Sequence, residues 1–156
     1  MKNMMAKIQE WFPAEEASAH CDGPCGVYDP ASARIAAEAV LSMTKKMLAL
    51  QPPAGNDAQA WASYLNTMSR YAAIKEEQAT LAKDEVLVLW TDYFKPVHLD
   101  AYPNLHNLIW DTTKLLSACK VEVNLDHAQE LMSKMQEIHN VFWGTKGRDV
   151  TYYTAS

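Results

Sequence analysis

The chain has little of what would place it in several broad classes. It holds only three cysteines in 156 residues, two of them four positions apart, which does not make a disulfide framework. No basic run is longer than Lys45-Lys46 and the formal net charge is −5, so nothing neutralises a phosphate backbone and nucleic acid is not expected as a partner. No apolar run approaches the roughly 20 residues that span a bilayer. Near the N-terminus Lys2 and Lys7 precede a stretch, Ile8 to Phe12, that is broken by Gln9 and Glu10 and followed by Glu15-Glu16. That is a poor secretory signal. A cytoplasmic protein with no membrane partner is the expectation. Internal repeats and low-complexity tracts are absent too.

What remains is an ordinary globular composition, 49% hydrophobic and 21% charged, in a chain long enough for one self-sufficient core. Its punctuation is sparse and informative. Asp29-Pro30 is a helix start, the carboxylate capping free N–H groups and Pro fitting the first turn. Ala36, Val40, Met43, Met47 and Leu50 then recur at helical spacing, until Gln51-Pro52-Pro53-Ala54-Gly55 stops the run. With Asn56 or Asp57 as cap, residues 58–94 contain neither Pro nor Gly. This predicts a helix of about 55 Å at about 1.5 Å per residue. Trp61, Leu65, Met68 and Tyr71 form its early inner face, Leu81, Val88 and Leu89 its continuation, and Pro96 its end. A third helix opens at Pro103 with Leu105, Leu108, Ile109, Thr112, Leu115, Leu116 and Cys119 on one face. After a connection at Val121–Asn124, Asp126 is the expected cap of a fourth, whose stripe is Leu131, Met135, Ile138 and Phe142 and whose end is marked by Gly144 and Gly147. The fold class is therefore all-α, an antiparallel up-down four-helix bundle.

The chemistry is concentrated ahead of the first helix, in His20-Cys21-Asp22-Gly23-Pro24-Cys25-Gly26-Val27-Tyr28-Asp29-Pro30. Ala17-Ser18-Ala19 before it are small residues of the kind proteases cut after. A cut between Ala19 and His20 creates a terminus offering a metal an α-amine, an imidazole, a backbone amide and two thiolates. That mixed N/S set suits nickel or copper better than magnesium or calcium. Gly23-Pro24 supplies the chain reversal that brings Cys25 back toward Cys21. Other readings are open on the residues alone. Two Cys and a His suit structural zinc, although no fourth ligand is evident nearby. A thioredoxin-like turn is disfavoured by the C-x₃-C spacing and the missing βαβ context.

This N-terminal hook resembles that of the nickel-dependent superoxide dismutases. A second block, Leu89-Trp90-Thr91-Asp92-Tyr93-Phe94-Lys95-Pro96 followed by Tyr102-Pro103 and Leu105-His106, extends the resemblance to about Arg148. It implies a precursor with a removable pro-segment (1–19), a nickel-binding hook (20–28), a bundle (29–148), a short tail (149–156), and assembly into a homohexamer. It further implies an enzyme that disproportionates superoxide, with His20, Cys21 and Cys25 as nickel ligands. His20 would give its amine and, axially, its imidazole; Cys21 its amide and thiolate; Cys25 its thiolate. Such donors would bring one-electron cycling between the divalent and trivalent ion within reach. Tyr28 and Tyr93 would guard the substrate pocket, the second tyrosine hydrogen-bonding the first. Asp22, within the hook, is expected to pair with Lys95, which can also attract the anion; for Lys95 the plainer reading is a solvated cation at a helix end. An acidic protein needs such local positive charge.

One departure stands out. The resemblance calls for a Glu sixteen residues after the leading His, holding its imidazole, and an Arg on the second helix holding that Glu. Ala36 and Gln78 occupy those positions. Losing both is coherent, because losing one would leave a buried charge unpaired. Gln78 is then the candidate to accept from the His20 ring N–H. The departure also motivates a competing class, a non-catalytic nickel-binding or metal-carrier protein that keeps the hook. His98, His106, His127 and His139 form no close metal-spaced pair, and Cys119 reads as a buried small hydrophobe.

Overall fold

The computed structural model describes residues 26–155, and among them there are helices and no strand. Helix α1 is Ala31–Ala49, α2 is Ala58–Val88, α3 is Pro96–Ala101, α4 is Leu105–Val121 and α5 is Leu125–Thr145. One π-helical turn, Leu89–Tyr93, continues α2. Helices α1, α2, α4 and α5 each pack on two neighbours, α1 on α2 and α5, and α4 on α2 and α5. That closed ring is the expected four-helix bundle.

The caps follow from local chemistry. Asp29 Oδ1 accepts the Ala31 N–H at 2.8 Å, and Asp57, rather than Asn56, caps α2 by accepting from Gln59 N–H at 2.9 Å. At α5 the expectation of Asp126 is corrected. Asn124, in extended backbone conformation, accepts the His127 N–H at 3.2 Å, while Asp126 already lies inside the first turn. The α1 stripe is deeper and smaller than expected. Ala33, Ala36, Ala37, Val40, Thr44 and Met47 are buried, and Met43 and Leu50 only half-buried. Ala79 and Ala82 on α2 are likewise fully covered, so small side chains let the helices approach closely. Leu131, Met135, Ile138 and Phe142 bury as the α5 periodicity predicts.

The early inner face of α2 is a second correction. Nothing before Lys75 is buried on this helix; Leu65 is 58% exposed, Trp61 36%, and Met68 and Tyr71 are half-buried. The reason is length. At about 1.5 Å per residue, α2 runs far beyond α4. Lys75 Nζ donates to the Cys119, Lys120 and Glu122 carbonyls, capping the C-terminal end of α4. N-terminal to that level, α2 projects past its neighbour.

The end of α2 also differs from the sequence reading. The α-helix stops at Val88, not Phe94, and gives way to the wider π turn, in which Phe94 N–H donates to Leu89 O at 2.9 Å. Pro96 then opens the short helix α3, which the turn signals had not disclosed. The extra residue in the wide turn lets both Tyr93 and Phe94 lie against the core. Such turns recur at functional sites.

The C-terminal tail is packed on the bundle. Val150 O accepts from His139 Nε2 at 2.7 Å, the Tyr152 hydroxyl donates to Met132 O at 3.4 Å, and the Tyr153 ring lies 4.5 Å from the Arg34 guanidinium. Arg34 pairs with Glu38 at 3.3 Å beneath it, both side chains buried.

Candidate functional site

The site residues divide into two groups. His20, Cys21, Asp22 and Cys25 lie outside the described residues. Tyr28, Tyr93 and Lys95 lie within them, as do Ala36 and Gln78. Gly26, the first described residue, sits at φ +67°. That left-handed conformation favours glycine and explains the residue at the point where the chain leaves the hook.

Two residues on, Tyr28 is half-buried against the core, just before the Asp29-capped start of α1. The π turn brings Tyr93 to it, with ring centroids 5.6 Å apart and planes at 50°. The two tyrosines, 65 positions apart in sequence, thus meet through their rings, while the Tyr93 hydroxyl bonds to Thr145 rather than showing the expected bond to Tyr28. Three further rings contact Tyr93. Phe142 lies at 4.5 Å, Phe94 at 5.2 Å, and the His98 imidazole stacks at 5.6 Å with planes 25° apart. His98 is fixed in turn by the Lys95 N–H, which donates to its Nδ1 at 3.1 Å.

The Tyr93 hydroxyl lies 2.6 Å from Thr145 Oγ1 on the last turn of α5. Thr145 has a single hydroxyl proton, and it goes to Phe142 O at 2.6 Å. Tyr93 is therefore the donor to Thr145, and its phenol oxygen is left as an acceptor. The helix end that positions Thr145 is well defined. Arg148 N–H returns to Trp143 O and Gly147 N–H to Gly144 O, both at 3.0 Å, with Gly147 at φ +64°. This Schellman closure fixes Lys146 and Arg148 beside the aromatic wall. Lys146 Nζ sits 4.8 Å from the Phe142 ring centre and 5.3 Å from that of Tyr93; the Arg148 guanidinium covers Trp143 at 4.7 Å.

Lys95 is exposed on a groove shared with Trp90, Phe94, Pro96, Leu99 and His106, and no described carboxylate pairs with it. Its side chain is open to a partner such as Asp22. Ala36 is 1% exposed, in a position that would bury a carboxylate completely. Gln78 is half-buried, and its amide has no hydrogen-bond partner among the described residues.

Elsewhere the polar chemistry is structural. Burial pushes the Cys119 thiol up to about 11, against the opposing effect of Lys75 nearby, as expected of an inert core cysteine. Burial likewise lowers the pKa of Lys75. His106 Nδ1 accepts the Trp90 indole N–H at 2.9 Å. Among the described residues no group of three His, Cys, Asp or Glu side chains is placed to hold a metal. The donor set read from the sequence, two thiols with an amine, amide and imidazole, fits nickel by its chemistry, and Tyr28 follows Cys25 three positions later in the chain.

Sequence reasoning missed His98, Phe142, Thr145 and Lys146 as the surroundings of Tyr93. His98, three residues after Lys95 in a Pro-opened turn, carried a local signal. The three α5 residues carried none, because only the packing of α5 on the bundle brings them there.

Comparison with known proteins agrees with this geometry. The family model described as nickel-containing superoxide dismutase matches residues 15–146. The superoxide dismutase [Ni] of Streptomyces coelicolor is 46% identical over 134 residues, covering 86% of this chain and 93% of the relative. That of Streptomyces seoulensis is 44% identical over the same shares. A native nickel superoxide dismutase structure at 1.30 Å is 43% identical with a TM-score of 0.69, covering 83% of this chain and 100% of that one. A structure with nickel ligation corresponding to the oxidised state aligns with a TM-score of 0.70 over the same shares.

Proposed function

This chain belongs to the nickel-containing superoxide dismutase family, and from that premise we propose how its own residues carry the activity. Its reaction is the disproportionation of superoxide to dioxygen and hydrogen peroxide, with nickel as cofactor. Bound nickel supplies the one-electron acceptance and return that the two half-reactions need.

His20, Cys21 and Cys25 hold the ion once residues 1–19 have been removed by a protease cutting between Ala19 and His20. Asp22 ties the hook to the bundle through Lys95, whose side chain has no carboxylate partner among the described residues. Gln78 supports the His20 imidazole in place of the missing charge pair; that its amide has no hydrogen-bond partner among the described residues favours this. Tyr28 and Tyr93 narrow the approach so that a small anion enters and bulk solvent is restrained. The Tyr93 proton is committed to Thr145, so Tyr93 orders water or product as an acceptor. The two protons needed per peroxide come from solvent through that ordered layer. The observation that carries this assignment is the contact between Tyr28, the last residue of the hook segment, and Tyr93.

The homohexamer is proposed as the working assembly. Exposed Leu65 and Trp61 on α2, Leu48 on α1 and Trp110 on α4 give apolar surface for subunit contact. A cytoplasmic location is also proposed. No described helix is long and apolar enough to cross a membrane.

The direct test is to produce the chain with His20 as its free first residue, load nickel, and follow superoxide decay after pulse radiolysis. We expect one nickel per chain and turnover that Cys21→Ser and Cys25→Ser each abolish. Stoichiometric nickel without turnover would instead establish the metal-carrier alternative, which the relatives do not favour.

A further inference from the structure

We infer that residues 150–153 form a strap that positions Tyr28 against Tyr93, an inference that rests on the activity assigned above. The segment lies beyond residue 146, where the family match ends, so membership of the family assigns it no role.

Two anchors hold it. The first is α5. His139, 8% exposed, donates from Nε2 to Val150 O at 2.7 Å, and its ring meets the Tyr152 ring edge-on at 5.3 Å. Further back along the helix, Met132 O accepts from the Tyr152 hydroxyl at 3.4 Å. The second anchor is α1. The Tyr153 ring lies 4.5 Å from the Arg34 guanidinium, whose partner at 3.3 Å is Glu38. An ion pair on a helix surface ordinarily stands in water. Here both members are buried, with the strap lying over them. Burial also raises the pKa of the Tyr152 hydroxyl, Arg34 acting against that shift and Glu38 adding to it, so the hydroxyl lies within reach of both charges.

Each anchor leads to one tyrosine of the site. The strap continues from the last turn of α5, where Thr145 Oγ1 holds the Tyr93 hydroxyl at 2.6 Å. Arg34 is in the first turn of α1, its N–H bonded to Pro30 O at 3.0 Å. Asp29 and Pro30 alone separate Tyr28 from that turn, and proline fixes its own φ. Helix termini open more easily than helix centres. Pinning Arg34 therefore restrains the turn that follows Tyr28, and the strap ties it to the helix that fixes Tyr93. Its residues are positioning residues, acting through α1 and α5.

The test uses the processed, nickel-loaded chain truncated after Asp149, which keeps the closure through Gly147 and Arg148, together with Tyr153→Ala and Tyr153→Phe, which change no charge. Truncation leaves Arg34 and Glu38 paired and solvated, so the bundle should still unfold in one cooperative urea transition. Hydrogen–deuterium exchange of the amides of residues 31–34 should quicken about five- to tenfold, the equivalent of one lost hydrogen bond, with the α4 amides unchanged. The kcat/KM for superoxide should fall about two- to fivefold at unchanged nickel content, because small misplacements of positioning groups are costly. Tyr153→Ala should move both readouts in the same direction. Tyr153→Phe, which keeps the ring over Arg34, should move neither. Exchange at residues 31–34 equal to that of the full chain would overturn the inference. So would faster exchange with unchanged turnover, the pattern of a strap that serves stability alone. Exchange is read without turnover, so an inactive full-length protein in which truncation still loosens residues 31–34 would refute the activity and leave the strap's hold on the head of α1 standing.

Discussion

Tyr93 shows how much of a site can be decided by one hydrogen-bond direction. Its hydroxyl proton points at Thr145 because the Thr145 proton is already given to Phe142 O. Thr145→Val should therefore cost about 1 kcal/mol of stability and free the phenol to rotate, lowering turnover, whereas Thr145→Ser should restore both. Denaturant melts and superoxide decay rates on nickel-replete protein check this. Cys119 gives a second prediction at this scale. Its thiol is raised from 9 to about 11 by burial. In the window between those values the folded state holds a proton that the unfolded state has lost. The stability contributed by the neutral thiol is complete below pH 9 and falls away as pH rises toward 11. Urea melts from pH 8 to 11 should show a shallower alkaline decline in Cys119→Ala than in the unsubstituted chain. That Tyr28 and Tyr93 belong together was legible in the sequence, because each sits in a contiguous block with turn residues around it. Thr145 and Lys146 were not. A threonine and a lysine at a helix end look like any other until the bundle sets them beside a residue 52 positions earlier.

At the scale of elements, periodicity and punctuation located the four long helices, and failures occurred where geometry rather than pattern decides. The run from Ala58 to Phe94 has no helix breaker, so nothing in it announced the π turn at Leu89–Tyr93. Nor did an apolar stripe at Trp61, Leu65 and Met68 show that α4 would be too short to cover it. The end of α5 illustrates the same limit. Gly144 reads as a stop signal but lies within the helix, where a Cβ would collide with the Tyr102 hydroxyl. Here glycine serves close approach between α5 and the segment after α3. Gly144→Ala should destabilise by about 1–2 kcal/mol through overpacking, and Tyr102→Phe in the same chain should recover most of the loss. Equilibrium urea unfolding of the single and double variants measures both.

For the molecule as a whole, the bundle is a rigid frame. It fixes Tyr28 just ahead of α1 and Tyr93 in the π turn that ends α2, with their rings in contact. Among the described residues the helices contain no metal-binding cluster, and the proposed redox site is the terminus that removal of residues 1–19 would create. Charge follows the same division, an acidic body with Lys95, Lys146 and Arg148 gathered near the tyrosines. The most direct test of this account is an intact-mass measurement, under conditions that retain metal, of the species that turns over superoxide. The account predicts a chain beginning at His20 and carrying one nickel ion. A fully active species that still carries Met1 through Ala19 would contradict it.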